Sequence, residues 1–208
     1  YHNRERLTST ERDAMKGAYL GPEFTDTEIE AELTACGAEF KKLSEAEMIE
    51  EVASILVDEK AVGWMQGRME FGPRALGGRS IIGDPRSPHM QKQLNLKVKY
   101  RESFRPFAPS VLSEDVGEWF EHETDSPYML LVADVQNEKR RAMTEDEEAL
   151  FGIDKLNVPR STVPAITHVD YSARIQTVHA DTNPKYHAVI SKFKEKTGCP
   201  LVVNTSFN

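Results

Sequence analysis

The sequence predicts an α/β (or α+β) fold in which a twisted, mixed sheet is flanked by helices. Three observations predict it. Short apolar runs with strand character alternate with segments whose apolar residues recur at helical spacing. Several helix starts and one helix end carry explicit capping residues. Strand-like runs also lie far apart in sequence, so at least some neighbours in the sheet must be joined by crossovers. A chain of 208 residues, 39% hydrophobic, is long enough to bury one sizeable core or two small ones.

The elements follow in order. Residues 1–25 are polar and irregular and read as a connector from a preceding domain, with the principal domain over 26–208. Thr25-Asp26 can cap a helix running to about Cys36, and Ala38 to Leu43 has the character of a strand. Ser44 and Glu47 form a capping box ahead of a helix with Met48, Val52, Ile55 and Leu56 on one face. A short strand at Ala61 to Met65 leads into a Gly-rich loop, and Ser80 to Gly83 forms the next strand. Ser87-Pro88 opens a helix with Met90, Leu94 and Val98 along one stripe. Strand-like runs follow at Phe107 to Leu112 and Tyr128 to Val135, then a charged, exposed connection over Glu138 to Glu148. Ala173 to Val178 alternates like a strand. Asn183-Pro184 starts a helix through Lys196, Gly198 ends it, and Pro200 to Val203 is a buried strand.

Composition narrows the function classes. The net charge of −8 argues against a general nucleic-acid binder. The charge is segregated: twelve acids against three lysines from Glu23 to Lys60, then six basic residues against Glu102 alone from Arg86 to Arg105. A basic island in an acidic protein lines an anion site or is a solvated face. No apolar run reaches membrane-spanning length, and the N-terminal residues contain no apolar secretory stretch. Cys36 and Cys199 lie far apart without metal-type spacing and read as two buried thiols of a reducing, cytoplasmic environment. The chain starts at Tyr1 and stops just after an apolar run, and it reads as an excerpt of a longer protein.

Four motifs carry candidate chemistry. Residues 63–80, GWMQGRMEFGPRALGGRS, interleave Arg68, Arg74 and Arg79 with glycines. Glycine lets backbone amides approach a ligand, and arginine offers a planar fork suited to phosphate or carboxylate. The loop is neither a Walker A motif nor a dinucleotide GxGxxG. It is a polyanion cradle or a tight turn with surface arginines, and Glu70 within it can orient the arginines or meet a metal ion. Lys99, Arg101 and Arg105 lie where a helix gives way to an apolar strand. In an extended chain they would share a face; a charged edge before a core strand is the alternative. Arg174, with Gln176 and Val178, forms one face of a strand that is either exposed or part of a site. Finally, Leu201 to Asn208 is an apolar strand breaking into Asn204, Ser206 and Asn208, each able to donate to a phosphate or ribose, or else forming a plain turn.

The successive segments GRMEFGPRALGGRSIIGDPR, KVKYRESFRPFAPSVL, THVDYSARIQTV and PLVVNTSFN resemble, in order, landmarks of the NodU/CmcH-type O-carbamoyltransferases. The resemblance runs from about Ala14 to the end. It implies the C-terminal domain of a two-part transferase, with a YrdC-like fold preceded by an actin/sugar-kinase-like domain. Lys99-Tyr100-Arg101 resembles the Lys-x-Arg signature of that fold and Ser206-Phe207-Asn208 its Ser-x-Asn signature. The implied partners are ATP and carbamoyl phosphate, with Mg2+ accompanying the ATP. The acceptor alcohol and an iron site would belong to the N-terminal domain, which is absent from this chain. In that reading carbamate attacks the α-phosphate of ATP, giving carbamoyl-adenylate for O-carbamoylation of a hydroxyl. Lys99, Arg105, Arg174 and Ser206 would serve the reacting phosphates, with Arg68, Arg74, Arg79, Arg101, Asn204 and Asn208 holding the nucleotide. Two other readings are an RNA-linked YrdC-like module and a non-catalytic nucleotide-binding domain; the acidic balance counts against the first.

Overall fold

The structure, a computed structural model, describes Asp13 and residues 15–207. Its first two α-helices begin where the caps predict, whereas the start expected at Ser87-Pro88 is displaced to Met90, with His89 before it making no side-chain cap. In α1 (Asp26–Ala35) the Thr25 side chain accepts from Glu28 N while Glu28 reaches back to Thr25 N, and Ser44 and Glu47 repeat that box for α2 (Glu45–Val57). α1 buries none of its residues, whereas α2 turns Val52, Ala53 and Leu56 inward. Between them the predicted strand over Ala38 to Leu43 does not form; the segment is irregular and mostly exposed. Strand-like composition yields a strand only where a neighbour completes the ladder, and none reaches this segment.

The chain then builds β1 (Val62–Met65), β2 (Arg79–Gly83), α3 (Met90–Lys97), β3 (Ala108–Leu112), α4 (Val116–Trp119) and β4 (Leu131–Asp134). The short helices α5 (Glu145–Ala149) and α6 (Ile153–Leu156) follow, and all of α5 but Ala149 falls inside the predicted charged connection. β5 (Ser172–Val178), α7 (Pro184–Thr197) and β6 (Leu201–Thr205) complete the described chain. Asn183 caps α7 by accepting from Tyr186 N, and Gly198 ends it in the left-handed region at φ 75°.

The six strands form one sheet in the order β1-β2-β6-β3-β5-β4. β3 and β5 run parallel and every other pair is antiparallel, so the sheet is mixed, as predicted. The last strand in sequence, β6, lies in the middle, its Leu201, Val202 and Val203 fully buried. β5 is interior too. The exposed-face alternative for Arg174 and Gln176 is therefore overturned: Gln176 is buried and Arg174 half-buried. α2 packs on α7, and the main core gathers Leu56, Ile82, Met90, Val111, Phe120, Ile190 and Phe193, among others. A second, small cluster of Ala18, Leu76, Ala108 and Met129 lies under the Gly-rich loop.

The register decides what gathers at one end of the sheet. Ala108 pairs with Asn204 and Ser110 with Gln176, so the amino ends of β3 and β5 meet the carboxyl end of β6. Side chains two apart on a strand share a face. Arg174, Gln176, Ser110 and Asn204 are thereby set on one face. Cys199 is buried, but Cys36 is exposed, which corrects the expectation of two buried thiols. It closes a helix none of whose residues is buried. Among the described residues no helix is long and apolar enough to cross a membrane.

Candidate functional site

A cavity of about 730 Å³ opens at this end of the sheet, lined by Arg74, Lys99, Arg101, Arg105, Arg174 and Ser206 together with Asn204, His168, Phe107 and Met129. Lys99, Arg101 and Arg105 reach it from a turn, not from the extended segment expected. Tyr100, at φ 49°, reverses the chain after α3, and Arg101 N bonds back to Asn95 O at 3.0 Å. Asn95, fully buried, organises the turn. Its Nδ2 donates to Ser103 O at 3.1 Å and Arg105 O at 2.8 Å, and its Oδ1 accepts from Arg101 Nε at 2.6 Å. The Arg101 guanidinium also lies 4.9 Å over the Phe107 ring. Lys99 Nζ donates to Ser206 O and, at 3.2 Å, to Ser206 Oγ, tying the turn to the end of β6. Arg105 stands 3.7 Å from Glu102 at the exposed rim.

The electrostatics are one-sided. Among the described residues no carboxylate lines the cavity. Burial holds the pKa values of Lys99, Arg101 and Arg174 below their ordinary ranges, and a neighbouring guanidinium adds to each: Arg101 beside Lys99, Arg105 beside Arg101, Arg74 beside Arg174. His168 is lowered by burial, with Arg174 adding and Asp170 opposing. The Nε atoms of Arg74 and Arg174 are buried without a hydrogen-bond partner among the described residues. Cations crowded in this way are relieved by an anion.

The Gly-rich loop is not the amide cradle expected. The amides of Leu76, Gly78 and Arg79 point inward to Glu70, which is only 5% exposed, and Gly77 N donates to Ser80 Oγ. A protein carboxylate thus takes the place an external anion would occupy, so Glu70 neither meets a metal nor orients a guanidinium directly. The loop carbonyls are taken as well. Gly77 O accepts from Trp64 Nε1, Gln66 Nε2 and Asn183 Nδ2, and Leu76 O from Tyr19 OH and Gln176 Nε2. Arg79 spends its guanidinium on Gln66 O, Gly78 O and Gly67 O beside a smaller neighbouring cavity. Arg68 donates to Gly21 O, 3.7 Å from Glu23, and lies outside the main cavity. Of the loop arginines, only Arg74 lines that cavity.

Asn204, 2% exposed, also differs from the donor expected. Gln176 Nε2 donates to Leu76 O, which fixes Gln176 Oε1 as an acceptor. Asn204 Nδ2 faces that oxygen and Ala75 O, both at 2.9 Å, as well as Ser110 Oγ, so its amide cannot be reversed. The orphan is Oδ1, buried and without a hydrogen-bond partner among the described residues. Asn208 lies outside the described residues. Asn95, His168 and Gln176 were missed as site residues. A lone polar residue, in a helix as at Asn95 or in a loop as at His168, carries no spacing signal, although Gln176 shares the alternation that marked Arg174.

The family described as carbamoyltransferase C-terminus matches residues 53–208. The chain belongs to that family. An uncharacterized protein of Synechocystis is 59% identical over 210 residues, covering all of this chain and 34% of that protein. Nodulation protein NolNO of Sinorhizobium fredii is 40% identical over 204 residues, 96% of this chain and 27% of NolNO. The 3'-hydroxymethylcephem-O-carbamoyltransferase of Streptomyces clavuligerus is 38% identical over 157 residues, 76% of this chain and 26% of that enzyme. The chain thus spans about a third or less of these relatives. All the cavity cations fall within the carbamoyltransferase C-terminus match, whereas α1 precedes it. Among the described residues no group of three His, Cys, Asp or Glu side chains is placed to hold a metal ion.

Proposed function

We propose that this carbamoyltransferase C-terminal domain binds ATP and carbamoyl phosphate in the 730 Å³ cavity and forms carbamoyl-adenylate there. The full-length enzyme would then use that adenylate to carbamoylate a hydroxyl acceptor. One observation carries the reading: five cationic side chains, Arg74, Lys99, Arg101, Arg105 and Arg174, surround a cavity in which no described residue contributes a carboxylate. Two polyanions repel one another, and bringing them together requires fixed positive charge that is present before they arrive. For the atoms to balance, water cleaves carbamoyl phosphate to carbamate and phosphate. A carbamate oxygen then displaces pyrophosphate from the α-phosphorus of ATP.

The residues divide the work by position. Lys99 and Arg174, half-buried and lowered in pKa, gain most from an anion and would hold the reacting phosphates. Arg105 at the rim would take the outermost phosphate. Arg101, fixed by Asn95 and Phe107, offers its remaining N–H groups, and Ser206 is held in place by Lys99. Phe107, Met129 and Val132 supply an apolar wall suited to a base. With no carboxylate among the described lining residues, a Mg2+ ion entering with ATP would be held by phosphate oxygens and water. The acceptor site and the iron site belong, in this reading, to an N-terminal actin/sugar-kinase-like domain.

The test is to incubate the full-length enzyme containing this chain with ATP and carbamoyl phosphate and to follow pyrophosphate and carbamoyl-adenylate. Both should form together. ATP binding without pyrophosphate release would reduce the domain to a nucleotide-binding module.

A further inference from the structure

We infer that Glu70 is a positioning residue for anion binding: it aims Arg74 into the cavity through the backbone of the Gly-rich loop, without touching the ligand. The inference rests on the functional reading above. Glu70 Oε1 accepts from Leu76 N and Gly78 N, each at 2.7 Å, and from Arg79 N at 3.0 Å, while Oε2 accepts from Arg79 N at 3.1 Å. The bond to Leu76 N closes residues 71–75 into a ring, and Arg74 stands within it. The next residue is fixed from the other side, since Ala75 O accepts from Asn204 Nδ2 at 2.9 Å. Arg74 Nε is buried without a hydrogen-bond partner among the described residues, so the stem of this side chain takes its direction from the backbone beneath it.

The carboxylate acts in a second way. Three inward amides at a glycine turn form a concavity that attracts anions. By filling it, Glu70 leaves an incoming phosphate no competing seat on the loop and reserves it for the side chains of the cavity. The fit around Glu70 is close: a Cβ at Gly78 would stand 2.7 Å from Arg68 O and 3.2 Å from the Glu70 carboxyl carbon. A neutral amide at position 70 keeps the shape and can keep its one oxygen on Leu76 N and Gly78 N, but those bonds lose their charge assistance and the NH2 is set against Arg79 N. The ring would loosen and Arg74 would lose its aim.

The experiment is a double-mutant cycle on the full-length enzyme, with ATP and inorganic pyrophosphate as probes in titration calorimetry. Glu70→Gln and Arg74→Met should each weaken binding about 10- to 100-fold, the scale of one charge-assisted contact. The double variant should bind no more weakly than Arg74→Met alone, which a merely structural role for Glu70 would not produce. Losses that multiply, or unchanged affinity in Glu70→Gln, would overturn the inference while leaving the cavity assignment intact. A wild-type enzyme that binds neither probe would overturn both. If Glu70→Gln does not fold, Glu70→Asp, charged but one methylene shorter, runs the same cycle with the same deciding outcomes.

Discussion

Lys99 shows how a single residue can be held against its own preference. Its ammonium is half-buried beside Arg101, and burial first, then that guanidinium, lower its pKa from the ordinary 10.5. The folded apo protein therefore binds the Lys99 proton less readily than the unfolded chain does. Stability contributed by this group rises with pH across the window from the lowered folded value up to 10.5. Denaturant midpoints of the apo protein should rise across that window, and the rise should shrink in Lys99→Met. The same substitution in the full-length enzyme should reduce adenylate formation at least about a hundredfold, the scale of one preorganised charge contact. Apo stability at neutral pH should change by less than about 1 kcal/mol, because the lost bonds to Ser206 offset the relieved repulsion. Near-normal adenylate formation would remove Lys99 from the reaction. The two cysteines give a simpler contrast. Burial pushes the Cys199 thiol up to about 12, while Cys36 lies exposed at the end of α1. A thiol reagent should modify one cysteine in the native protein and the second only on unfolding.

At the scale of elements, the Gly-rich loop is a clamped frame and not a mobile flap. Its amides go to Glu70 and Ser80 and its carbonyls to Trp64, Gln66, Asn183, Tyr19, Gln176 and Asn204. Gly77 sits at φ 96° with the Tyr186 ring against it, and a Cβ there would stand 2.2 Å from Tyr186 Cδ1. Gly77→Ala should lower stability by at least about 2 kcal/mol, since backbone strain and overpacking coincide. Gly37, at φ 69° with open space around its missing Cβ, supplies the control. Gly37→Ala meets only the backbone penalty, and the loss should stay near about 1 kcal/mol. Urea titrations of the two variants measure the difference. Equal losses would show that the loop yields to make room for the methyl group.

The whole molecule combines a net charge of −8 with a cationic cavity, so its long-range field would oppose the polyanions proposed for that cavity. Their binding would therefore rely on short-range, partly buried contacts. ATP and pyrophosphate should raise the melting temperature, by about 2.7 kcal/mol in equivalent stability at a hundredfold excess over Kd. Adenosine, which lacks the phosphates, should raise it far less. The stabilisation should weaken as salt screens the exposed rim at Arg105, but not vanish, because Lys99 and Arg174 are half-buried. Equal stabilisation by adenosine would move the ligand away from the cations.

The sequence by itself determined what local chemistry controls. Thr25 and Ser44 with their glutamates opened α1 and α2, and Asn183-Pro184 and Gly198 bounded α7, because caps are satisfied within a few residues. It also picked out the cations that line the cavity, because positive charge is rare in that pattern in an acidic chain. Only the tertiary structure decided which charges meet. The run Ala38 to Leu43 found no partner strand, while β6 became a central strand between β2 and β3. Arg68 and Arg79 turned to loop carbonyls while Arg74 faced the cavity, and Glu70, Asn95 and Asn204 became the fixings of loops and strand ends. Hydrogen bonds such as Asn204 to Ala75 join residues more than a hundred positions apart. A buried polar group must find a partner once the chain has closed around it, and which partner is available depends on the closed chain and not on spacing in sequence.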